Sequence, residues 1–455
     1  MTTVGSALEG RARAWLVTAL AFDLLLSLGI YAALRARGES AARAIEKVGA
    51  FRGTALADRV LEDSWHPMVL AYRLKEADRN ADMYGLFFND RVKWLYPPSS
   101  LLVLDLVPDS AWSYAPKSEG ETPSYLVELW MTWPSRLICL LAILASALMI
   151  EIGLSRLDPE PPRRPAARVF RLLVACVLGL TFYPLVFSYE LGQIQVFLNG
   201  FVALALLLRL LDRPVAGGCV LALCALVKPQ YGAVVLLAPF GRQWRLALGF
   251  FCTFVLGLGA SIARFGWNDH WRYFQVLGAI ARGGEAYWAN QSVNGLLNRF
   301  LGNGDPLVFV ENAYAPFRLA IFLPSLAVAL GLLALALWPV RRNGAVDGAY
   351  AATLKLASVI AATTMGAPVA WEHHYGSFLA IFALALPGLA RFGPLGRCTG
   401  PLFLASYLAV ANVILAPELW FWNRWVGLLG SHLFIGGLGL FALLWTLRGY
   451  QPTRS

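Results

Sequence analysis

The chain has 455 residues, of which 58% are hydrophobic and only 15% charged, with a mean hydropathy of +0.57. A soluble domain is about 45–50% apolar and about 25% charged, so a water-soluble globular fold is excluded. The net charge of +10 has the sign of a nucleic-acid binder, but the arginines stand in short gaps between apolar blocks, as topological anchors do, and no nucleic-acid partner is expected.

The first apolar block, about 14–34, is too long for the h-region of a signal peptide and is expected to remain as a membrane helix. Further blocks centre on about 136–154, 169–187, 194–211, 217–227, 230–240, 246–264, 317–340, 350–367, 374–391, 399–416 and 425–447. Most approach the ~20 residues that cross a ~30 Å hydrocarbon core. The expected fold is an all-α polytopic membrane protein, one integral membrane domain over 1–455 with about 12 transmembrane segments. The blocks at 217–227 and 230–240 are short and meet at Lys228-Pro229, where proline breaks a helix. They read as two short crossings or as a re-entrant hairpin. The apolar run 101–107, behind Tyr96-Pro97-Pro98, can dip into the membrane without crossing.

On that count the basic gaps alternate. Arg11 and Arg13, then Arg156, Arg163, Arg164 and Arg168, then Arg209 and Arg213, Arg242 and Arg245, Arg341 and Arg342, Arg391 and Arg397, and Arg448 and Arg454 fall on one side with both termini. Positive residues mark the cytoplasmic side. The opposite side receives two long loops, 35–134 and 265–316, with amphipathic stretches at 41–48, 57–61 and 69–77 in the first and at 271–280 and 293–301 in the second. Aromatic residues such as Trp65, Trp94, Trp267 and Trp271 crowd both loops, as suits helices at headgroup depth. The six cysteines lie in apolar blocks or at a cytoplasmic end, with neither disulfide nor metal spacing. No cofactor or metal is expected.

The informative polar groups gather at the loop-bearing face: Asp58, Asp63 and His66; Tyr96; Glu190 and Gln193; Lys228; Asn290-Gln291-Ser292; and Trp371-Glu372-His373-His374. Ionisable groups at that depth need partners or water, which suggests a shared polar cavity. Lys228 can hold a phosphate as a point charge or simply snorkel. His373 and His374 suit a phosphate or a hydroxyl, and adjacent histidines are poor metal spacing. Asp63 can act as general base toward an acceptor hydroxyl or can be an ordinary cap, and Asp58 competes with it. Asn290-Gln291-Ser292 also reads as a glycosylation sequon, taken here as coincidence.

The ordered set Tyr96-Pro97-Pro98-Ser99-Ser100-Leu101-Leu102, Gly192-Gln193, Lys228-Pro229, Asn290-Gln291-Ser292 with Gly295 and Arg299, and Trp371-Glu372-His373-His374 resembles glycosyltransferase family 87, membrane transferases of the GT-C superfold. The resemblance implies inverting transfer of a hexose or pentose from a polyprenyl-phosphate sugar to a lipid or glycan hydroxyl, as in the family's mannosyltransferases of the cell envelope. It implies Asp63 as the base, with Asp58 the competing position. Lys228, His373, His374, Gln193, Asn290, Gln291, Arg299 and Tyr96 are then expected to bind the donor's phosphate or sugar. The expected location is a bacterial inner membrane, as a monomer among membrane lipids, with the site facing the periplasm or exterior. The alternative class is a transporter or flippase of a lipid-linked or small solute. Transporters hold their charges near the midplane between repeats, whereas these polar groups collect at one face.

Overall fold

The computed structural model describes residues 4–58, 60–61, 63–108, 114–115, 124–125, 127–157, 165–309, 314–339, 347–392, 398–413 and 428–449. Residues Arg163, Arg164, Arg341, Arg342, Arg397 and Arg454, and positions 425–427 of the last apolar block, lie outside them.

Helix α1 (Val4–Ala36) ends where Gly38 adopts φ +88°, a left-handed conformation that glycine takes at least cost. Then come α2 (Ala41–Glu46), capped by the Ser40 hydroxyl, a 3₁₀ segment (Gly49–Ala57), α3 (Trp65–Ala77) and α4 (Gly85–Phe88). A second 3₁₀ segment (Pro98–Leu106) holds the short apolar run. Tyr114–Ala115 and Ser124–Tyr125 form a small antiparallel pair. The stretch at 69–77 is helical and that at 41–48 is helical as far as Glu46, whereas of 57–61 the described residues beyond Ala57 lie outside any helix. There the chain leaves its 3₁₀ turn at an extended Asp58, and Leu61 and Asp63 donate backbone N–H bonds to the carbonyls of Glu190 (3.0 Å) and Leu191 (3.1 Å).

The bundle contains α5 (Val127–Leu157), α6 (Pro165–Leu180), α7 (Tyr183–Glu190), α8 (Gln195–Leu210), α9 (Pro214–Val227), a 3₁₀ segment (Pro229–Leu236) and α10 (Leu237–Gly241). It continues with α11 (Trp244–Phe265), α12 (Trp267–Gly283), α13 (Val293–Phe300), α14 (Leu319–Leu337) and α15 (Gly348–Met365). The 3₁₀ segment Glu372–Ser377 leads into α16 (Phe378–Phe392), followed by α17 (Thr399–Ala411) and α18 (His432–Gly449).

Among the described residues six helices are long and apolar enough to cross a membrane, or seven if α6 and α7, bent by 54°, count as one span. The dozen crossings expected from hydropathy are not confirmed. The difference lies in length: α8, α9 and α17 have 16, 14 and 13 residues, about 24, 21 and 20 Å of helix against a ~30 Å core. Helix α15 carries Lys355 and several hydroxyls and is buried on nearly every face, a central helix rather than a lipid-facing one. The break at Lys228-Pro229 is present, α9 giving way to a 3₁₀ turn. Helices α9 and α11 pack backbone to backbone through glycine: a Cβ on Gly218 would collide with the Leu246 carbonyl, and one on Gly249 with that of Val215.

The two loops form a second core above the bundle, in which Trp65, Met68, Tyr84 and Trp94 of the first pack with Tyr273 and Val276 of α12. Lys75 and Asp269 pair across them at 2.6 Å with both side chains 6% exposed. Lys93 meets Glu285 at 3.3 Å, and Arg272 meets Asp82 at 2.9 Å.

Candidate functional site

Breaks in the helices, rather than their regular turns, build the site. Backbone hydrogen bonds from Leu61, Asp63 and Ser64 to the α7–α8 corner, where Gly192 takes φ +65°, bring Asp63 to Gln193. The Gln193 amide donates to an Asp63 carboxylate oxygen, and the Tyr96 hydroxyl donates to the Gln193 carbonyl oxygen at 3.2 Å. Burial holds the Tyr96 phenol well above its ordinary range, and the Asp63 charge raises it further, so Tyr96 remains a donor.

The end of α9 frees Lys228, whose ammonium donates to Gln195 Oε1 at 2.7 Å and lies 2.6 Å from His374 Nε2. With Lys228 as an ammonium, which carries donors only, this ring nitrogen is the acceptor. Among the described residues no carboxylate pairs with Lys228. Gln195 in turn binds Asn199 (2.9 Å), which donates to the His373 carbonyl (3.2 Å) and locks the 3₁₀ segment onto α8.

These groups line a cavity of about 540 Å³ with Asp63, Lys93, Tyr96, Gln193, Lys228 and His374 in its lining. The rest of the lining is largely apolar, with Leu277 and Ile280 of α12 and Leu330 and Leu333 of α14. Leu330 is 58% exposed, so this apolar lining continues onto the outer surface of α14, a helix long and apolar enough to cross a membrane.

A second cavity, of about 350 Å³, adjoins the first and shares Asp63, Trp371 and His373 with it. Tyr183, Phe187, Tyr287, Trp288 and Phe309 supply aromatic walls, and Arg52 and Glu372 supply polarity. Arg52 pairs with Glu190 and lies over the rings of Tyr183 (5.0 Å) and Phe187 (5.3 Å). Glu372, 2% exposed, accepts from the Tyr183 hydroxyl at 3.2 Å through Oε2. Its Oε1, like His373 Nδ1, has no hydrogen-bond partner among the described residues. Such buried, unmatched polar atoms beside aromatic faces suit hydroxyl recognition.

Of the residues singled out from sequence, Asp63, Tyr96, Gln193, Lys228, His373 and His374 converge on these cavities. Asn290, Gln291 and Arg299 line neither. Asn290 donates to the Glu285 (2.9 Å) and Pro368 (3.1 Å) carbonyls and accepts from Ala370 N–H (3.0 Å). Gln291 binds the Trp288 and Gly430 carbonyls, and Arg299 binds those of Tyr287 and Asn290 and the Ser431 hydroxyl. Burial lowers Arg299 to about 9. The three brace the wall behind Trp371. Asp58 also lies outside both cavities, its carbonyl held by Tyr189 (2.6 Å) and Arg136 (3.0 Å).

Sequence reasoning missed Lys93 and Arg52. The Lys93 ammonium stands 3.8 Å above the Trp371 ring and 4.5 Å from that of Phe309, while Glu285 takes the Trp371 indole N–H at 2.5 Å.

The family model of glycosyltransferase family 87 matches residues 94–365, a stretch that takes in Tyr96, Gln193 and Lys228, begins after Asp63 and ends before His373. No curated protein and no solved structure matches the chain.

Proposed function

The chain belongs to glycosyltransferase family 87, and on that premise we propose that this membrane glycosyltransferase takes its sugar from a polyprenyl-phosphate donor and delivers it, with inversion, to a lipid or glycan hydroxyl on the non-cytoplasmic face of a bacterial inner membrane. The observation that carries the reading is that Asp63 lines both cavities, with a carboxylate-free Lys228–His374 pair in one and, in the other, aromatic walls beside an unmatched Glu372 oxygen.

The larger cavity receives the donor. Its apolar lining takes the first isoprene units, and Lys228 and His374 take the phosphate. The smaller cavity receives the acceptor, with sugar C–H faces on Trp288, Tyr287 and Phe187 and a hydroxyl on Glu372. Asp63 removes the proton from the attacking acceptor hydroxyl. The oxygen bonds to the anomeric carbon from the side opposite the phosphate, and the bond from that carbon to the phosphate oxygen breaks. Single displacement inverts the centre. The departing polyprenyl phosphate gains negative charge next to Lys228, and fixed charge aimed at such a group is commonly the largest catalytic term. Gln193 orients Asp63 and is oriented by Tyr96. The GT-C architecture is part of this reading. The transporter alternative gains no support from the family match.

The test supplies purified full-length protein with polyprenyl-phosphate sugars and, separately, with nucleotide sugars, and measures transfer to a glycan acceptor. Product is expected only from the lipid-linked donors. Turnover of nucleotide sugars alone would overturn the donor assignment.

A further inference from the structure

Helices α9 and α15 carry another cavity at their far ends. Helix α9 meets the donor chamber at Val227 and this one at Pro214, and α15 meets the donor chamber at Ala362 and Thr363 and this one at Ala351 and Lys355. The two cavities therefore occupy opposite ends of the bundle. This one measures about 1070 Å³ and is lined by five cations, Arg209, Arg242, Arg245, Lys355 and Arg448, against one carboxylate, Asp212. Arg209 pairs with Asp212 at 3.3 Å and reaches Gln243 at 3.2 Å. Lys355 donates to the Phe240 carbonyl at 2.5 Å, and Arg448 to that of Trp338 at 2.8 Å. Arg242 and Arg245 are exposed and form no ion pair among the described residues.

Anchoring a topology needs positive residues near the interface, but it does not need five of them lining one cavity. Their mutual repulsion beside a low-dielectric bundle is relieved by an anion, and guanidinium forks match phosphate oxygens in pairs. The mouth gives a second indication. Trp244, Leu248, Phe251 and Val255 follow one another on a single stripe of α11, exposed by 63, 59, 61 and 47%. That stripe starts at the cavity, where Trp244 is a lining residue, and runs along a membrane-spanning helix. A phosphate in the cavity and an apolar chain along the stripe together make the outline of a phospholipid.

We propose that this cavity binds the phosphate headgroup of an anionic phospholipid, with an acyl chain lying along Trp244, Leu248 and Phe251. The assignment does not rest on the transfer reaction. Full-length protein stripped of lipid in a neutral detergent is given phosphatidylglycerol, phosphatidylcholine or inorganic phosphate. Bound lipid is counted by native mass spectrometry and stability by thermal unfolding. Phosphatidylglycerol is expected to be retained several-fold better than phosphatidylcholine and to raise Tm. The Arg242→Gln/Arg245→Gln variant should lose most of that preference while matching the unsubstituted protein's Tm in phosphatidylcholine. Arg242→Lys/Arg245→Lys should keep part of it, because charge survives without the fork. Equal retention of the two lipids overturns the proposal, as does undiminished preference in the glutamine variant. A Tm rise that inorganic phosphate alone reproduces in full overturns the lipid in favour of a soluble anion.

Discussion

Asp58 and Asp63 have the same chemistry and opposite surroundings. The Asp63 carboxylate is held by Gln193 and borders both cavities, whereas Asp58 ends a 3₁₀ turn and offers its carbonyl to Tyr189. Asp63→Asn is therefore expected to lower kcat by about 10²–10⁴-fold, the usual worth of a general base, with donor binding retained. Asp58→Asn should stay within a few-fold of the unsubstituted enzyme. Product formation under saturating donor, beside donor binding by each variant, checks both, and the reverse pattern would transfer the role to Asp58. Sequence alone located most of this cluster because polar residues interrupting apolar blocks are rare and conspicuous. It could not say which way each one faces. Asn290, Gln291 and Arg299 spend their hydrogen bonds on backbone carbonyls, and nothing in their residue types separates that from ligand binding. Lys93 stands in Asp90-Arg91-Val92-Lys93-Trp94, the kind of mixed-charge run that coats surfaces. Only the folding of Trp371 and Phe309 against it turns it into a cavity wall.

Apolar length and periodicity placed the helices themselves well. Helices α11, α14 and the Lys228-Pro229 break match their expected positions, since each rests on local hydrophobicity or on proline. What local hydropathy does not set is helix length: α8, α9 and α17 are apolar but shorter than an upright span, with part of each in the shared core. The path of Leu61 and Asp63 escaped for a related reason, being set by the carbonyls of Glu190 and Leu191. The outer elements also make their own predictions. Lys75 on α3 and Asp269 on α12 are buried together. Burial pushes the Asp269 carboxyl above its ordinary range, and Lys75 partly offsets this. Lys75→Ala strands that carboxylate and should destabilise the loop pair by about 3–5 kcal/mol, whereas replacing both residues by apolar ones of similar size should cost far less. Thermal unfolding of the two variants decides it, and equal losses would mean that the pair is not the joint. His270 begins the same helix, with Nδ1 2.7 Å from the Gly266 carbonyl and Nε2 2.9 Å from the Ser261 hydroxyl. Burial lowers its pKa below the ordinary 6.5, so the unfolded chain takes up this proton first as pH falls. Stability from this site is present above about pH 6.5 and declines below it. His270→Gln should flatten that decline in a melting series from pH 7.5 to 5.5 (about the range of a histidine switch), and an unchanged slope would assign the decline to other groups.

Across the whole molecule, charged and apolar side chains meet in one chamber. Lys228 and His374 line it together with Leu277, Ile280, Leu330 and Leu333, and the apolar lining continues onto the outer surface of α14, where Leu330 and Leu326 are exposed by 58% and 43%. A water-soluble sugar phosphate would use only the charged groups, while a lipid-linked one would use both. Each methylene buried on the apolar lining adds up to about 0.8 kcal/mol in the fully desolvated limit, so even a partly covered isoprene unit changes affinity measurably. Leu333→Trp narrows the apolar lining without touching the charged groups. With a long-chain polyprenyl-phosphate sugar the variant's KM should rise by about tenfold or more, the effect of roughly 1.4 kcal/mol, while kcat at saturation holds. With a donor cut to a single isoprene unit the unsubstituted enzyme should already bind weakly, and the substitution should add little. Matched KM changes for both donors would mean that the chain leaves by another route, and a fall in kcat alone would mean that the introduced indole has displaced the sugar rather than the lipid.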